Sequence, residues 1–457
     1  MKKILNLFKK NKTLITLALP IFLELFFQFL IGVIDSIQIS FDQDAVSAIN
    51  QTNAVINVIN LVFAVLGTAS IILITQFKGI KDEKNVNKIY CLSFYFNLIV
   101  GIIISFILVF GAKTIFNLMG VEERYIDKAV IYMQINGCFS FVIALTTVFS
   151  SFLRSNKLMI QSTIVTGIMN IMNVGGNALA LFVFNSGIQG VAISSVISRI
   201  VGLIVIVIMY IHYIHSSLSI KNIFPFPGKL FATLLKIGLP SAGENLSYNL
   251  SQLVIIMILN YHFILSQSID VNIRGYIANF TSIVYMVSNA IAQSAQVIIG
   301  PKIAKNEIDD TFHIVKDTVK MSGIITVLCS LIFIAISYPL LNSLLNIKDP
   351  ELKSQAMNIV LIVCAIDILL EFGRSGNIPY VRCLQTVGDI YTPVFFAIIC
   401  CWSVAVLGSY ILSAFCNLGV IGVWISCALD ENIRNIIFTF RWNSKKWTKF
   451  NLIKNIN

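Results

Sequence analysis

Read from its first residue, the chain alternates long apolar runs with short polar breaks. A membrane-spanning helix needs about 20 mainly apolar residues. Runs of that kind fall at about 14–36, 46–75, 90–112, 129–153, 158–184, 187–214, 237–262, 275–300, 321–344, 355–381, 393–414 and 419–440. The pattern predicts an all-α integral membrane protein with twelve transmembrane helices. The run at 14–36 is too long for the core of a signal peptide and no small-residue cleavage site follows it, so it is read as a retained span.

Several spans interrupt their apolar character along one face only. Span 2 carries Asn50, Asn53, Asn57 and Asn60, at i, i+3, i+7 and i+10, a spacing that stays on one side of a helix. Span 8 carries Asn279, Ser282, Asn289, Gln293 and Gln296, span 5 carries Asn170, Asn173 and Asn177, and span 7 carries Glu244, Ser247, Tyr248, Ser251 and Gln252. A single amide can serve as helix–helix glue, at about 0.6–2 kcal/mol per hydrogen bond. Four long stripes point instead to a water-filled central cavity, with Gln28, Asn53, Asn57, Tyr248, Asn279 and Asn289 among its expected lining.

The polar positions also reveal an internal repeat. Pro20 and Glu24 in span 1 match Pro240 and Glu244 in span 7, an offset of 220; Asn53 matches Asn279, an offset of 226. Spans 6 and 12 both open Gly-x-x-Gly-Val, at Gly187 and Gly419, an offset of 232. Each half therefore holds six spans. Six is even, so the halves share one orientation and form a parallel repeat. The expected organisation is an amino-terminal six-helix lobe at 1–220, a cytoplasmic linker at 221–236 containing Pro225, Pro227 and Gly228, and a carboxyl-terminal lobe with a cytoplasmic tail at 237–457.

Composition agrees with a membrane solvent. Of 457 residues, 57% are hydrophobic and 12% charged, with mean hydropathy +0.84, against about 25% charged in soluble domains. The formal charge of +11 invites a nucleic-acid reading, but its placement argues otherwise. Of 33 Lys and Arg, 24 lie at the termini and even-numbered connections and six in the odd-numbered ones, while Arg199, Arg374 and Arg434 lie within spans. Basic segments stay cytoplasmic, so both termini are expected there and no nucleic-acid partner is. The nine Cys and four His are scattered without metal-ligand spacing, and neither a metal nor a cofactor is expected. Lysine outnumbers arginine 25 to 8, a usage that fits a bacterium with an AT-rich genome, and the expected location is the bacterial cytoplasmic membrane.

The acids inside the spans carry the candidate chemistry. Each ionised side chain at mid-membrane costs about 2.5–3.5 kcal/mol on the insertion scale, yet Glu24, Asp35, Glu244, Asp367 and Glu371 all fall there. Glu24 and Asp35 are eleven residues apart, about 20° beyond three full turns, so they share a face with Gln28 between them. Glu371 and Arg374 stand at i, i+3 and should pair. Asp367 has no sequence-local cation; it could exchange a proton or ligate Na⁺. Asp430, Glu431 and Arg434 are spaced to pair among themselves and are read as structural.

Four stretches, in order, resemble the multidrug and toxic compound extrusion (MATE) family, and together they cover nearly the whole chain. LPIFLELFFQFLIGVIDS, ending Val33-Ile34-Asp35-Ser36, resembles its first-helix aspartate segment. Asp44-Ala45-Val46 through Ile49-Asn50-Gln51 resembles the start of its second helix, and EFGRSGNIPYVRCLQTVGDIYTP, from Glu371 to Pro393, its E-x-G-R-x-x-N…G-D-x-x-x-P stretch. GVIGVWISCALDENIR completes the series. The resemblance implies two six-helix lobes that alternate access, exporting an amphipathic, often cationic compound against inward Na⁺ or H⁺. It also implies a cation site where the span 1 acid meets a span 5 Asn-x-x-x-Asp pair. Here the acid is Asp35 and the pair reads Asn173-x-x-x-Asn177, so one titratable group is replaced by an amide.

The expected function is thus a cation-coupled antiporter for amphipathic drugs or metabolites, acting as a monomer, with Asp35, Asp367, Glu24, Glu244, Glu371, Asn173, Asn177 and Arg374 as the cation- and substrate-binding set. A lipid-linked oligosaccharide flippase would need a large cationic groove, whereas five acids face one well-placed Arg374. An intramembrane enzyme would need Asp-rich metal motifs or His-Glu-x-x-His, neither of which occurs.

Overall fold

The computed structural model describes residues 2–345 and 347–453. Its order is α1 (Lys2–Lys10), α2 (Lys12–Gln38), α3 (Gln43–Gly79), α4 (Glu83–Leu118), α5 (Glu123–Cys138), α6 (Ser140–Ser155), α7 (Met159–Ala178), α8 (Gly187–Ile214), α9 (Gly228–Tyr261), α10 (Gln267–Ala304), α11 (Ile308–Leu344), α12 (Pro350–Val387), α13 (Tyr391–Cys400), α14 (Leu407–Tyr410) and α15 (Gly419–Asn443). No strand occurs among the described residues. Wide π-helical turns extend α7 through Leu179–Val183 and join α13 to α14 and beyond through Cys401–Val406 and Ile411–Phe415.

Nine of these helical stretches are long and apolar enough to cross a membrane, and α5 with α6, bent by 49° at Phe139, makes a tenth. Two further helices, α9 and α15, have the length but carry internal charges, including Glu244 in α9 and Asp430, Glu431 and Arg434 in α15. Large apolar side chains such as Phe110, Leu118, Phe182 and Phe395 point outward. Lipid tails are as apolar as these side chains, so in a bilayer such faces need no protein partner.

The described chain divides into two compact units. One comprises Leu23–Ala242, called here the amino-terminal lobe. The other comprises the residues up to Phe22 together with Gly243–Leu452, the carboxyl-terminal lobe. These units depart from the halves expected at 1–220 and 237–457. Each boundary lies inside the first helix of a half, two residues beyond its proline: Pro20 in α2 and Pro240 in α9. Proline lacks the N–H that would continue the ladder and loosens the helix there. The opening turns of α2 bury Leu14 and Ala18 against Ile291, Ala295, Ile299, Val381 and Trp442 of the carboxyl-terminal lobe. Those of α9 bury Leu230, Leu234 and Ile237 in the amino-terminal lobe, where Gly238 leaves no room for a side chain against the Val65 carbonyl.

Each lobe has its own apolar core. In the amino-terminal lobe α3, α4, α5 and α8 meet through Ala45, Ile49, Leu108, Phe116, Tyr132 and Val191. In the carboxyl-terminal lobe α9, α10, α12 and α15 meet through Ile255, Ile273, Val360, Val363, Val423 and Trp424. Both cores surround buried polar groups.

Candidate functional site

In the amino-terminal lobe the polar centre is Asp35, 1% exposed on α2. Its carboxylate meets three neutral donors from three helices. The Tyr132 hydroxyl of α5 and the Ser195 hydroxyl of α8 both donate to Oδ2 at 3.0 Å, and Asn177 Nδ2 of α7 donates to Oδ1 at 2.7 Å. Asn173 Nδ2 donates to the Ser195 hydroxyl at 2.9 Å. The fold thus gathers Asp35, Asn173 and Asn177, and adds Tyr132 and Ser195. No cation lies within 4.0 Å of Asp35 among the described residues. The Oδ1 atoms of Asn173 and Asn177 are buried without a hydrogen-bond partner. Unsatisfied oxygens beside a carboxylate are the donor set a small hard cation takes.

Glu24 departs from expectation. It is fully buried, but Arg154 Nη2 lies 2.6 Å from Oε1 and the Ser162 hydroxyl donates to the same oxygen at 2.8 Å. The acid is therefore neutralised inside its own lobe and is not open to a cation. Hydropathy ended span 4 at residue 153 and left Arg154 in a connection; the helix runs on through Ser155 and carries the guanidinium inward.

The carboxyl-terminal lobe handles its acids differently. Arg374 Nη1 lies 2.6 Å from Glu371 Oε1, and its Nε 3.3 Å from Glu431 Oε1. Its remaining nitrogen donates to the Tyr248 hydroxyl at 3.4 Å, and the guanidinium lies 5.7 Å from the Tyr285 ring centre. Glu431 also accepts from Asn377 Nδ2 at 2.6 Å and pairs with Arg434 at 3.0 Å, and Arg434 lies 2.5 Å from Asp430. Arg374, expected to meet substrate, is buried and committed to these partners. The self-pairing expected within α15 is present, but Glu431 also ties α15 to α12. Three carboxylates against two guanidiniums leave this network one negative charge when all are ionised. Glu371 Oε2 and Asp430 Oδ1 are buried without a partner.

Asp367, 1% exposed, stands apart from the network. Trp424 Nε1 and the Thr281 hydroxyl donate to its Oδ1 at 3.0 and 3.1 Å. Glu244 is half-buried, has no hydrogen-bond or ion-pair partner among the described residues, and lies in the field of Arg382, Arg434 and Glu431.

The expected lining residues divide by exposure. Gln28, Asn57 and Asn279 are exposed, Asn53 and Tyr248 are half-buried, and Asn289 is buried beside Gln293, whose Nε2 donates to it at 3.4 Å. An exposed amide inside a spanning helix is poorly placed against lipid. Sequence reading missed Arg154, Tyr132, Ser195, Thr281, Trp424 and Asn377. Asn377 and Trp424 had a usable signal, since both stand in stretches that carry the family resemblance. Among the described residues no three His, Cys, Asp or Glu side chains cluster to hold a metal.

The sequence model of the family described as MatE matches residues 20–179 and 240–411, one copy in each half. The chain is 30% identical over 443 residues to "Uncharacterized transporter YisQ" of Bacillus subtilis (strain 168), covering 96% of this chain and 95% of that protein. It is 21% identical over 447 residues to "Probable multidrug resistance protein NorM" of Thermotoga maritima, covering 96% and 93%. In fold it is similar to a solved structure described as the outward-facing conformation of a multidrug resistance MATE family transporter of the MOP superfamily. That match has a TM-score of 0.84 at 17% identity and covers 95% of this chain and 96% of the other.

Proposed function

The chain belongs to the MatE family of membrane transporters, and on that premise we propose that it is an antiporter which exports amphipathic small molecules in exchange for inward Na⁺ or H⁺. Its twelve spans are the nine apolar helices, the bent pair α5–α6, and α9 and α15. It works as a monomer in the bacterial cytoplasmic membrane with both termini inside.

The observation that carries this reading is the environment of Asp35. A buried carboxylate held by neutral donors, with unsatisfied amide oxygens beside it, can accept a cation without first breaking an ion pair. Binding either cation or substrate must favour a different state of the transporter, because a ligand that binds both states equally shifts nothing. Loading Asp35 changes the charge of this centre by one, and that change is the differential term. Asp367, with neutral donors only, and Glu244, with none, are the matching candidates in the carboxyl-terminal lobe.

A lipid-linked oligosaccharide flippase is the weaker reading, because Arg374 and Arg434 are already matched by carboxylates and are not free to hold a pyrophosphate. The test is uptake of a fluorescent cationic dye into inverted vesicles, driven in turn by a Na⁺ and a pH gradient. Asp35→Asn is expected to reduce gradient-driven uptake at least about tenfold, the equivalent of about 1.4 kcal/mol, with little loss of folded protein. Full uptake in Asp35→Asn, Asp367→Asn and Glu244→Gln, singly and in pairs, would sink the proposal.

A further inference from the structure

Arg199 is an intramembrane cation that the coupling scheme leaves unused. It stands twelve residues into α8, about 18 Å along a helix of about 42 Å, and so at mid-depth. α8 turns Ile193, Ile197, Ile204 and Ile208 outward. At about 100° per residue, Arg199 lies roughly 120–180° around the helix from each of them. Its partial exposure is therefore on the side away from that apolar face.

Charge accounting sets it apart from Arg154, Arg374 and Arg434. Arg199 Nη1 donates to Asn136 Oδ1 at 2.9 Å. No carboxylate lies within 4.0 Å of it, and its Nε and Nη2 have no hydrogen-bond partner among the described residues. Asn136 sits in the last turn of α5, just before the 49° break at Phe139. The guanidinium is thus tied to the bend of a broken span through a neutral amide, which leaves its charge unmatched. Interrupted helices of this kind are where transporters build ligand sites.

The repeat sharpens the contrast. With the Gly-x-x-Gly-Val motifs at 187 and 419 aligned, position 199 corresponds to 431. The carboxyl-terminal lobe has Glu431 there, bonded to Arg374, Asn377 and Arg434. The amino-terminal lobe has the opposite charge at the same address, without an ionic partner. The charged or titratable groups nearest along the polar chain are Tyr132, one turn before Asn136, and Asp35, whose oxygens are already occupied by Tyr132, Ser195 and Asn177.

We propose that Arg199 is the recognition site for a carboxylate, or a comparable monoanionic group, on the transported molecule. The substrate class is then a zwitterionic amphiphile, its cationic part matched by the acids and its anionic part by Arg199. This deepens the transport reading and rests on it, but not on Asp35 being the coupling acid.

The test uses the full chain purified in detergent, without any gradient, and two probes that share one fluorophore. Rhodamine 110 carries a free carboxylate; rhodamine 123 is its methyl ester. Fluorescence anisotropy titrations of wild type, Arg199→Gln and Arg199→Lys report affinity, and thermal melting reports folding. Arg199→Gln is expected to weaken the free acid about tenfold or more while changing the ester less than about twofold. Arg199→Lys, which keeps the charge but not the planar fork, is expected to fall between. If the glutamine variant does not fold, the lysine variant decides through a narrowed preference for acid over ester. Equal losses for both probes, no loss for either, or no binding of the free acid by wild type overturns the assignment. A transporter that keeps carboxylate-selective binding but ignores both gradients would instead refute the coupling scheme.

Discussion

The two lobes are both helical bundles opened by a proline-bearing helix but treat buried charge in opposite ways. In the amino-terminal lobe Asp35 meets only neutral donors, and Arg199 is left with an amide. In the carboxyl-terminal lobe Glu371, Asp430 and Glu431 are interlocked with Arg374 and Arg434 across α12 and α15. A duplicated scaffold therefore does not imply a duplicated site. An interlocked ion network is costly to open, because each partner left behind is an uncompensated buried charge. A carboxylate among hydroxyls and amides can change its charge with less disturbance. The amino-terminal lobe thus keeps Asp35 free of ion pairs, whereas the carboxyl-terminal lobe uses three acids to tie α12 to α15 and leaves Asp367 and Glu244 outside that network.

The strongest way to break this comparison is to remove the hub. Arg374→Met leaves Glu371 without its cation and takes one from Glu431, so it is expected to cost about 3–5 kcal/mol of stability. The thermal unfolding midpoint in detergent should fall well below that of Asp35→Asn. Equal midpoints would mean that the network is not what holds α12 to α15.

A second, smaller effect probes the ion pair inside the amino-terminal lobe itself. Glu24→Gln removes the carboxylate that faces Arg154, whose side chain is 12% exposed and so partly hydrated. The expected cost is about 2–3 kcal/mol, recovered in part by the double variant Glu24→Gln/Arg154→Met, which removes the guanidinium that faced the carboxylate. A stable single variant that loses transport would instead restore Glu24 to the set of exchanging acids.

Much of this was legible in the sequence because two periodicities are strong. Apolar run length located the helices, and the Pro-x-x-x-Glu and Gly-x-x-Gly-Val repeats located the halves. The meeting of Asp35 with Asn173 and Asn177 followed from a family resemblance rather than from spacing. What escaped depended on tertiary contact. Arg154 lies a single residue beyond the apolar run, and no local pattern announces that it turns back to Glu24, 130 residues earlier. Trp424 and Thr281 belong to an apolar and a mixed face and become donors to Asp367 only once α10, α12 and α15 pack together. The expected boundary at 221–236 followed the proline-rich linker, whereas packing divides the chain at the prolines inside α2 and α9.

The finest test of the comparison lies outside the membrane, where the lobes again diverge at matching positions. With Asn53 and Asn279 aligned, Asp44 corresponds to Asp270. Asp270 is fully buried and accepts from the backbone N–H groups of Ile264 and Leu265 at 2.9 and 3.2 Å, and from Val420 at 3.5 Å. The amino-terminal lobe uses exposed pairs instead: Asp44 with Arg124 at 2.9 Å and Asp42 with Lys128 at 2.7 Å. Asp270→Ala should cost about 2 kcal/mol by leaving backbone donors unmet. Lys128→Gln should cost no more than about 0.5 kcal/mol, since both partners are about a third exposed and screened. The Lys128 ammonium, bonded to Asp42, holds that carboxyl below its ordinary value, against a partial burial that raises it and with help from the Ala45 N–H. A lowered folded pKa makes the pair's small contribution complete above the unfolded value near 3.9 and lost only as pH falls below it. The difference in melting midpoint between wild type and Lys128→Gln should therefore be constant from pH 8 to about pH 5 and close below about pH 4. A difference that widens on acidification would show that Lys128 acts on something other than Asp42.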